Sequence, residues 1–172
     1  MKRSNKILCI VAHPDDEALG IGGTLIKHVD QGDHVYIVIL SDGEGSKTIK
    51  NQMNKNRLKN AKKWSNSAGT KLFKILNLPD QKFDTTAQLD LVKELEIIIK
   101  KIKPDIVYTH FLKDINRDHQ ITAEATLVAL RPMSIKNPKA EIRLFETPSS
   151  TDQTPQLNEY SFTPNLYVNI TK

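Results

Sequence analysis

A histidine and two adjacent carboxylates follow directly after a short apolar run near the start of the chain. Residues 6–12 form the run, and His13, Asp15 and Asp16 come just after it. A short continuous apolar stretch, rich in Ile and Val, is typical of a strand buried on both faces. Ligands and catalytic groups gather at the carboxyl ends of the strands in open α/β sheets. The sequence therefore places three groups capable of metal binding or acid–base chemistry where a site is expected.

A second polar cluster follows another strand-like run and opens a helical pattern. It contains Asn116, Asp118 and His119. Two imidazoles and one carboxylate, supplied by His13, Asp16 and His119, match the ligand set of a catalytic zinc site with an open fourth position. The same set also suits Fe²⁺, so ligand type alone does not fix the metal; zinc is the expected cation and Fe²⁺ the alternative. Asp118 is a candidate for orienting a ligand imidazole. The two clusters thus predict one metal-dependent active site.

Other polar residues in these clusters are candidates for the steps of a hydrolysis. Asp15 and Asp16 are neighbours and cannot easily point the same way, so Asp15 is the candidate general base if Asp16 binds the metal. A metal ion in such a site lowers the pKa of its water to about 7 and polarises a carbonyl. His110, after the fourth predicted strand, is the candidate for stabilising the oxyanion or protonating a leaving amine. Asn116 can donate a hydrogen bond but cannot transfer a proton near neutral pH.

Strand-like and helical patterns alternate along the chain and predict the elements that position these residues. Strands are predicted at 6–12, 35–40, 71–76, 106–108 and 141–145, with a final edge strand at 166–170. Helices are predicted at 24–29, 53–67, 89–102 and 121–130. Alternation of this kind favours βαβ units with right-handed crossovers and a mostly parallel sheet. We therefore expect a three-layer α/β domain.

Length and charge limit the class of protein. The 172 residues and the hydrophobic content of 38% fit one globular domain, residues 1–172. The net charge is +5, but the lysines are spread out and no nucleic-acid motif is present, so a solvated basic surface is favoured over a nucleic-acid site. A mild preference for an anionic substrate is the more specific interpretation of that charge.

Cysteine usage and hydropathy indicate the compartment. Cys9 is the only cysteine and lies in the first apolar run, which excludes an intramolecular disulfide and favours a buried thiol. No window approaches the roughly 18 to 20 apolar residues of a membrane span. The apolar stretch after the basic N-terminus is also too short for the core of a signal peptide. We therefore expect a cytoplasmic protein without a membrane span.

The first polar cluster also resembles a known family signature. Residues 12–17, followed by Gly20 and by residues 22–24, are similar to the motif of the PIG-L/LmbE family of metal-dependent N-deacetylases. Residues 40–44, Arg57, and residues 104–110 leading into 114–119 are similar to further features of that family. The resemblance extends from about residue 6 to residue 170, nearly the whole chain.

The resemblance implies a Rossmann-like fold and hydrolysis of an acetamide on an amino sugar, typically N-acetylglucosamine linked to another group. It also implies that His13, Asp16 and His119 hold the metal, that Asp15 is the base, and that Arg57 faces the anionic or hydroxyl-rich part of the substrate. Asp42 is a further candidate for contact with the substrate, although it could simply close a turn.

The chain departs from the family pattern at two points. Asn116 stands where many relatives carry a second histidine, so either His110 takes over the oxyanion role or this chain is a variant that uses Asn116. Relatives usually continue into a further C-terminal helix, which would begin near Ile170. The single domain is therefore expected to lack that helix.

Two other functions fit the same residues. One is hydrolysis of another amide or an ester on the same metal site, and the other is a sugar- or nucleotide-binding module that has lost activity. Asp15 argues against the module, since a binding protein has no need of a base beside the metal. The expected partner is a small-molecule N-acetylated sugar conjugate, and exposed edge strands favour assembly into homo-oligomers.

Overall fold

The computed structural model describes residues 3–43, 45, 56–132, 140–155, 157 and 160–171. Its strands are β1 (Lys6–Val11), β2 (His34–Ser41), β3 (Lys71–Leu78), β4 (Ile106–His110) and β5 (Glu141–Phe145). They form one sheet in the order β3-β2-β1-β4-β5, and each neighbouring pair is parallel. The predicted parallel sheet is confirmed.

Helices cover both faces of this sheet. They are α1 (Asp16–Leu19), α2 (Gly22–Asp30), α3 (Arg57–Ser67), α4 (Gln88–Ile102) and α5 (Arg117–Ala129), with short 3-10 turns at Phe83–Thr85 and Thr151–Gln153. Helices α2 and α3 pack on one face through residues such as Leu25 and Ala61, and α4 and α5 pack on the other. The arrangement is the expected three-layer, Rossmann-like α/β fold.

Strand β1 forms the centre of the core because both of its faces are covered. Leu8 and Ile10 belong to the apolar cluster shared with α4 and α5, whereas Ile7 and Cys9 belong to the cluster shared with α2 and α3. All four side chains are fully buried. A parallel strand covered on both faces reads as a continuous apolar run, which is the pattern seen in the sequence. Cys9 is confirmed as a buried free thiol.

The strand order places a crevice at the carboxyl ends of β1 and β4. From β1 the sheet grows through β2 and β3 on one side and through β4 and β5 on the other. This reversal is a topological switch point, the position at which open α/β sheets bind their ligands. The two polar clusters singled out in the sequence follow these two strands.

Several element boundaries differ from those predicted. Helix α2 begins at Gly22 and α5 at Arg117, earlier than expected, because polar and glycine residues at a helix start break the apolar pattern on which the prediction rested. Strands β3 and β4 each run two residues further, to Leu78 and His110. The part of the predicted helix at 53–55 lies outside the described residues.

The predicted edge strand at 166–170 is wrong. Residues 161–170 form no strand, and residues 161–168 line a groove of about 940 Å³ together with β5. Leu166 and Tyr167 are consecutive residues, and both are exposed, at 51% and 79%, so their side chains do not alternate between a buried and an exposed face. Alternation indicates a strand only where the segment pairs with a sheet edge, and here the segment borders a groove beside β5 without joining the sheet. Among the described residues, no helix is long and apolar enough to cross a membrane.

Candidate metal centre and active-site cavity

The turn after β1 brings the first histidine and its carboxylate neighbours into the crevice. The Asp16 Oδ2 atom accepts the backbone N–H of His13 at 2.9 Å, which holds the turn in a closed form. Asp15 stands at the position preceding α1 with φ of 121°, and its side chain makes no capping hydrogen bond to the helix. Because non-glycine residues at positive φ are strained, this conformation points to a functional constraint. The Asp15 carboxylate is thereby free to face the cavity.

The three predicted ligands converge on a single point. The Nδ1 atom of His13 lies 3.5 Å from Asp16 Oδ2, and the Nε2 atom of His119 lies 3.4 Å from the same oxygen. One ligand atom from each residue falls within 4.8 Å of the others. All three residues are buried. Residues more than one hundred positions apart therefore form one cluster, as the sequence predicted.

A carboxylate fixes the tautomer of His13. Asp118 Oδ2 lies 3.0 Å from His13 Nε2 and can only accept, so Nε2 keeps a proton, and Nδ1, which faces Asp16, is the nitrogen available to a cation. The backbone N–H groups of Gln81 and Phe83 also donate to Asp118, at 2.7 and 3.1 Å. These donors anchor the carboxylate, which agrees with the predicted role of Asp118 in orienting a ligand imidazole.

A second carboxylate does the same for His119. Asp114 Oδ2 lies 3.2 Å from His119 Nδ1, which leaves Nε2, facing Asp16, as the nitrogen available to a cation. The hydroxyls of Ser150 and Thr151 donate to the two oxygens of Asp114. Asp114 is fully buried, and these bonds together with that to His119 outweigh its burial and lower its pKa to about 2.

Sequence analysis missed Asp80, whose Oδ1 atom lies 3.2 Å from His13 Nε2. It follows β3 at the same edge of the sheet, and that placement was the available signal. Ser150 and Thr151 were also missed. They lie in a Pro-, Ser- and Thr-rich stretch that resembles an ordinary loop.

The acidic surroundings hold protons on both ligand imidazoles in the metal-free protein. Burial favours a lower pKa for His13, but hydrogen bonds to Asp118, Asp16 and Asp80 outweigh it and raise the pKa to about 11. Burial likewise opposes protonation of His119, yet bonds to Asp114 and Asp16 raise its pKa to about 9. A metal that binds there must replace these protons, so its affinity depends on pH.

His110 is packed into the protein rather than exposed to the cavity. Its Nε2 atom accepts the backbone N–H of Ala12 at 2.9 Å, so the proton lies on Nδ1, which donates to Thr147 Oγ1 at 3.1 Å. Its ring stacks on that of His119, with centroids 3.9 Å apart and planes 10° from parallel. Burial lowers the pKa of His110, which keeps the ring neutral. The ring is therefore placed to support His119 and the turn after β1.

Arg57 contacts the candidate base directly. Its Nη2 atom donates to Asp15 Oδ2 at 2.7 Å, and its Nη1 atom donates to the carbonyl of Gly43 at 2.8 Å. Gly43 has φ of 69°, and a Cβ added there would lie 2.8 Å from Arg57 Nη1 and 2.9 Å from Pro14 Cδ. Burial raises the pKa of Asp15 in spite of the ion pair. The guanidinium thus orients the Asp15 carboxylate, which makes no capping hydrogen bond to α1.

A cavity of about 550 Å³ opens over this cluster. Of the predicted site residues, those that line it are His13, Asp15, Asp16, Arg57, Asn116 and His119. Asn116 also caps α5, because its side-chain oxygen accepts the Asp118 N–H at 2.9 Å. His110 and Asp42 are not among the described residues that line the cavity. Asp42 lies one residue beyond β2 and is half-buried.

The donor set fits a divalent cation. Two imidazole lone pairs and one carboxylate oxygen converge, and a carboxylate backs each imidazole, as is usual for metal-bound histidines. His13, Asp80 and Asp118 form a second group with suitable spacing. However, Asp118 already accepts two backbone N–H groups there, so the first group is the better ligand set. Fold and site together define the class of protein: a Rossmann-like domain with a buried His–Asp centre at its switch point.

The chain belongs to the PIG-L family. The family profile, described as GlcNAc-PI de-N-acetylase, matches residues 8–130. This span contains every ligand of the candidate centre together with Asp80, Asp114 and Asp118. The expected family is confirmed.

Sequence relatives agree with this assignment, and a solved structure shares the fold. The chain is 32% identical to the uncharacterized deacetylase YaiS of Escherichia coli K12, over 84% of this chain and 75% of that protein. It is 34% identical to diacetylchitobiose deacetylase of Thermococcus kodakarensis, but the match covers 59% of this chain and only 39% of the relative. The N,N'-diacetylchitobiose deacetylase structure from Pyrococcus horikoshii superposes with a TM-score of 0.77 at 24% identity, covering 98% of this chain and 65% of the other. That likeness shows the fold.

Proposed function

We propose that this chain is a metal-dependent hydrolase that removes the acetyl group from an N-acetylated amino sugar. The observation that carries the proposal is the convergence of His13, Asp16 and His119 in an open cavity. Asp15 lies beside them, and its carboxylate is not used to cap α1. Membership of the PIG-L family and the likeness to named deacetylases support the reaction type. The expected cation is Zn²⁺, and a site of two histidines and one carboxylate also accepts Fe²⁺.

A divalent cation at this centre would act as a Lewis acid on the amide carbonyl and activate the attacking water. The protein's own groups account for the proton transfers. Asp15 lies in the cavity next to Asp16, and we assign it the removal of a proton from water and the transfer of that proton to the leaving amine as the C–N bond breaks. Arg57 holds the Asp15 carboxylate in a fixed direction through a 2.7 Å bond. A base fixed before the substrate arrives needs little reorganisation during the reaction.

The substrate roles of Asp42, Arg57 and Asn116 remain predictions. Arg57 and Asn116 border the cavity, which supports contact with the sugar. Each also has a second role: Arg57 binds the Asp15 carboxylate, and Asn116 caps α5. The catalytic role of His110 also remains a prediction. Because both of its ring nitrogens are already engaged, we favour a positioning role for it, with Asn116 as the donor nearer the substrate.

Two alternatives remain. A hydrolase acting on another amide or an ester would use the same cation and Asp15, and acetate release measured over a panel of N-acetylated sugars and simple esters separates it from the proposal. An inactive binding module would bind the sugar without releasing acetate. We also propose that residues 1–172 act as one domain.

Replacing Asp15 by Asn tests the central assignment. The change keeps the size of the side chain and removes its basicity, so we expect zinc content to stay unchanged while acetate release falls by about 10²- to 10⁴-fold, the usual contribution of a general base. Zinc is measured by elemental analysis and acetate by a coupled assay. Retained turnover in the D15N variant would remove Asp15 from the role of base.

The matched variants are His13→Ala and His119→Ala, which should lose bound zinc together with activity. Full zinc occupancy in either variant would refute the ligand assignment, whatever happens to turnover.

A further inference from the structure

We propose that residues 147–151, here called the hydroxyl strap, are part of the metal centre and fix the orientation of His119 through Asp114. The inference rests on the metal-dependent site proposed above. It assigns a role to Ser150 and Thr151, which bind no cation themselves and lie outside the span that matches the family profile, residues 8–130.

The strap reaches the metal ligand through two hydroxyl groups. Ser150 Oγ donates to Asp114 Oδ1, and Thr151 Oγ1 donates to Asp114 Oδ2 at 2.6 Å. Asp114 Oδ2 in turn lies 3.2 Å from Nδ1 of His119. Thr151 and Asp114 are buried and do not line the cavity, so water cannot easily replace a lost Thr151 hydroxyl.

The strap is closed on itself and is therefore a fixed support. The N–H of Thr147 donates to Thr151 Oγ1 at 2.7 Å, and the N–H of Thr151 donates to the Thr147 carbonyl at 2.9 Å. Ser149 adopts φ of 66°, a conformation that a non-glycine residue holds only when its surroundings impose it. The Thr147 hydroxyl also accepts from His110, whose ring stacks on His119. One short segment thus supports two adjacent imidazoles.

Asp114 needs these donors to hold one orientation. The backbone N–H of Asn116 donates to Oδ1 at 2.8 Å, so three hydrogen bonds besides that of His119 converge on its two oxygens. Without the strap, the carboxylate would keep only the Asn116 bond and could rotate away from His119. Partners of this kind behind a metal-bound histidine typically contribute 10- to 100-fold to metal affinity or activity.

The test uses variants that separate the hydroxyl from the shape of the side chain. Thr151→Val keeps the shape and removes the hydroxyl, Thr151→Ser keeps the hydroxyl, and Ser150→Ala is an independent removal. Ser161→Ala serves as the control, because it removes a hydroxyl that binds the Leu157 carbonyl away from Asp114. Zinc affinity of the full chain is measured by competition with a chromophoric chelator, and the Co²⁺-loaded protein is compared by its visible absorption spectrum.

We expect about 10- to 100-fold weaker zinc binding and an altered Co²⁺ spectrum for T151V and S150A. T151S and S161A should match the unmodified chain. In an Asp114→Asn background, removal of the Thr151 hydroxyl should have little further effect, because that hydroxyl acts through the Asp114 carboxylate.

Unchanged zinc affinity in both T151V and S150A would overturn the inference while leaving the proposed function intact. The inference would also be overturned if the losses of zinc affinity caused by T151V and by D114N added up fully in the double variant. If the unmodified chain bound no zinc, the proposed function would fail first. Should one hydroxyl variant not fold, the other decides.

Discussion

At the scale of single residues, the candidate centre depends on which atom of each side chain faces the cation site. Asp118 and Asp114 accept hydrogen bonds from Nε2 of His13 and Nδ1 of His119, and this leaves Nδ1 of His13 and Nε2 of His119 directed inwards. Without those carboxylates, either nitrogen of each ring could carry the proton. The strained Asp15 completes the arrangement, because its carboxylate makes no bond to α1 and is held by Arg57 instead.

Glu17 gives a prediction at this scale. It is 1% exposed, its Oε2 atom accepts the Asp15 N–H at 3.0 Å, and burial raises its pKa from 4.5 to about 7. A raised carboxyl pKa means that the folded state favours the neutral acid. Its contribution to stability is therefore complete below pH 4.5 and is lost as the pH rises through about 7.

The variant Glu17→Gln, which stays neutral, should gain stability relative to the original chain between pH 4.5 and pH 8. The gain should reach at most about 3 kcal/mol at about 1.4 kcal/mol per pKa unit. Urea unfolding of both metal-free proteins at the two pH values measures it. If the two proteins differed in stability by the same amount at pH 4.5 and at pH 8, Glu17 would have to be ionised in the folded state.

At the scale of elements, α5 carries two groups of the centre and depends on Asn116, the residue that precedes it. Asn116 accepts the N–H of Asp118, and the first turn of the helix places Asp118 against His13 and His119 against Asp16. The residue that departs from the family pattern therefore has a clear structural task. An asparagine is among the best residues for starting a helix, and histidine is not.

Replacing Asn116 by Ala should lower the free energy of unfolding by about 1 kcal/mol, since an unpaired N–H remains at the start of α5. Replacing it by Asp should keep that free energy within a few tenths of a kcal/mol, because aspartate caps equally well. Chemical denaturation of the metal-free variants measures both. If N116A were as stable as N116D, the cap would contribute nothing.

At the scale of the whole molecule, the centre joins segments that are far apart in the sequence. The turn after β1, the loop after β3, the start of α5 and the hydroxyl strap after β5 all meet at the carboxyl edge of the sheet. A cation bound by His13, Asp16 and His119 would link β1 to α5 across the switch point. Binding to the folded state alone stabilises it by about 2.7 kcal/mol when the free metal is at 100 times its dissociation constant.

The size of this stabilisation should depend on pH. The metal-free fold raises the pKa of His119 to about 9 and that of His13 to about 11, so bound protons stabilise it fully below pH 6.5 and are lost as the pH rises through about 9 and then 11. The metal competes with those protons. Thermal unfolding with and without zinc should therefore show a larger increase in Tm at pH 8 than at pH 6. A larger increase at pH 6 would contradict the assignment of the imidazoles as ligands.

The local pattern of the chain was sufficient to predict much of the fold and to single out the three side chains that converge as the candidate ligand set. The apolar run of β1, the polar residues after it and the regular spacing in α4 depend on neighbours along the chain, so they could be predicted. Element ends and the segment 166–170 could not be predicted reliably, because they depend on whether a sheet edge or a cap is within reach.

By itself, the sequence determined the α/β class, the family, and the placement of His13, Asp16 and His119 at one edge of a sheet. Only the tertiary structure decided which imidazole nitrogens face inwards, that His110 is buried behind His119, and that Ser150 and Thr151 hold Asp114. Residue types and their spacing along the chain indicate which side chains of a helix or strand are buried. Hydrogen bonds between segments distant in the chain arise from the packing of whole elements, which no local pattern records.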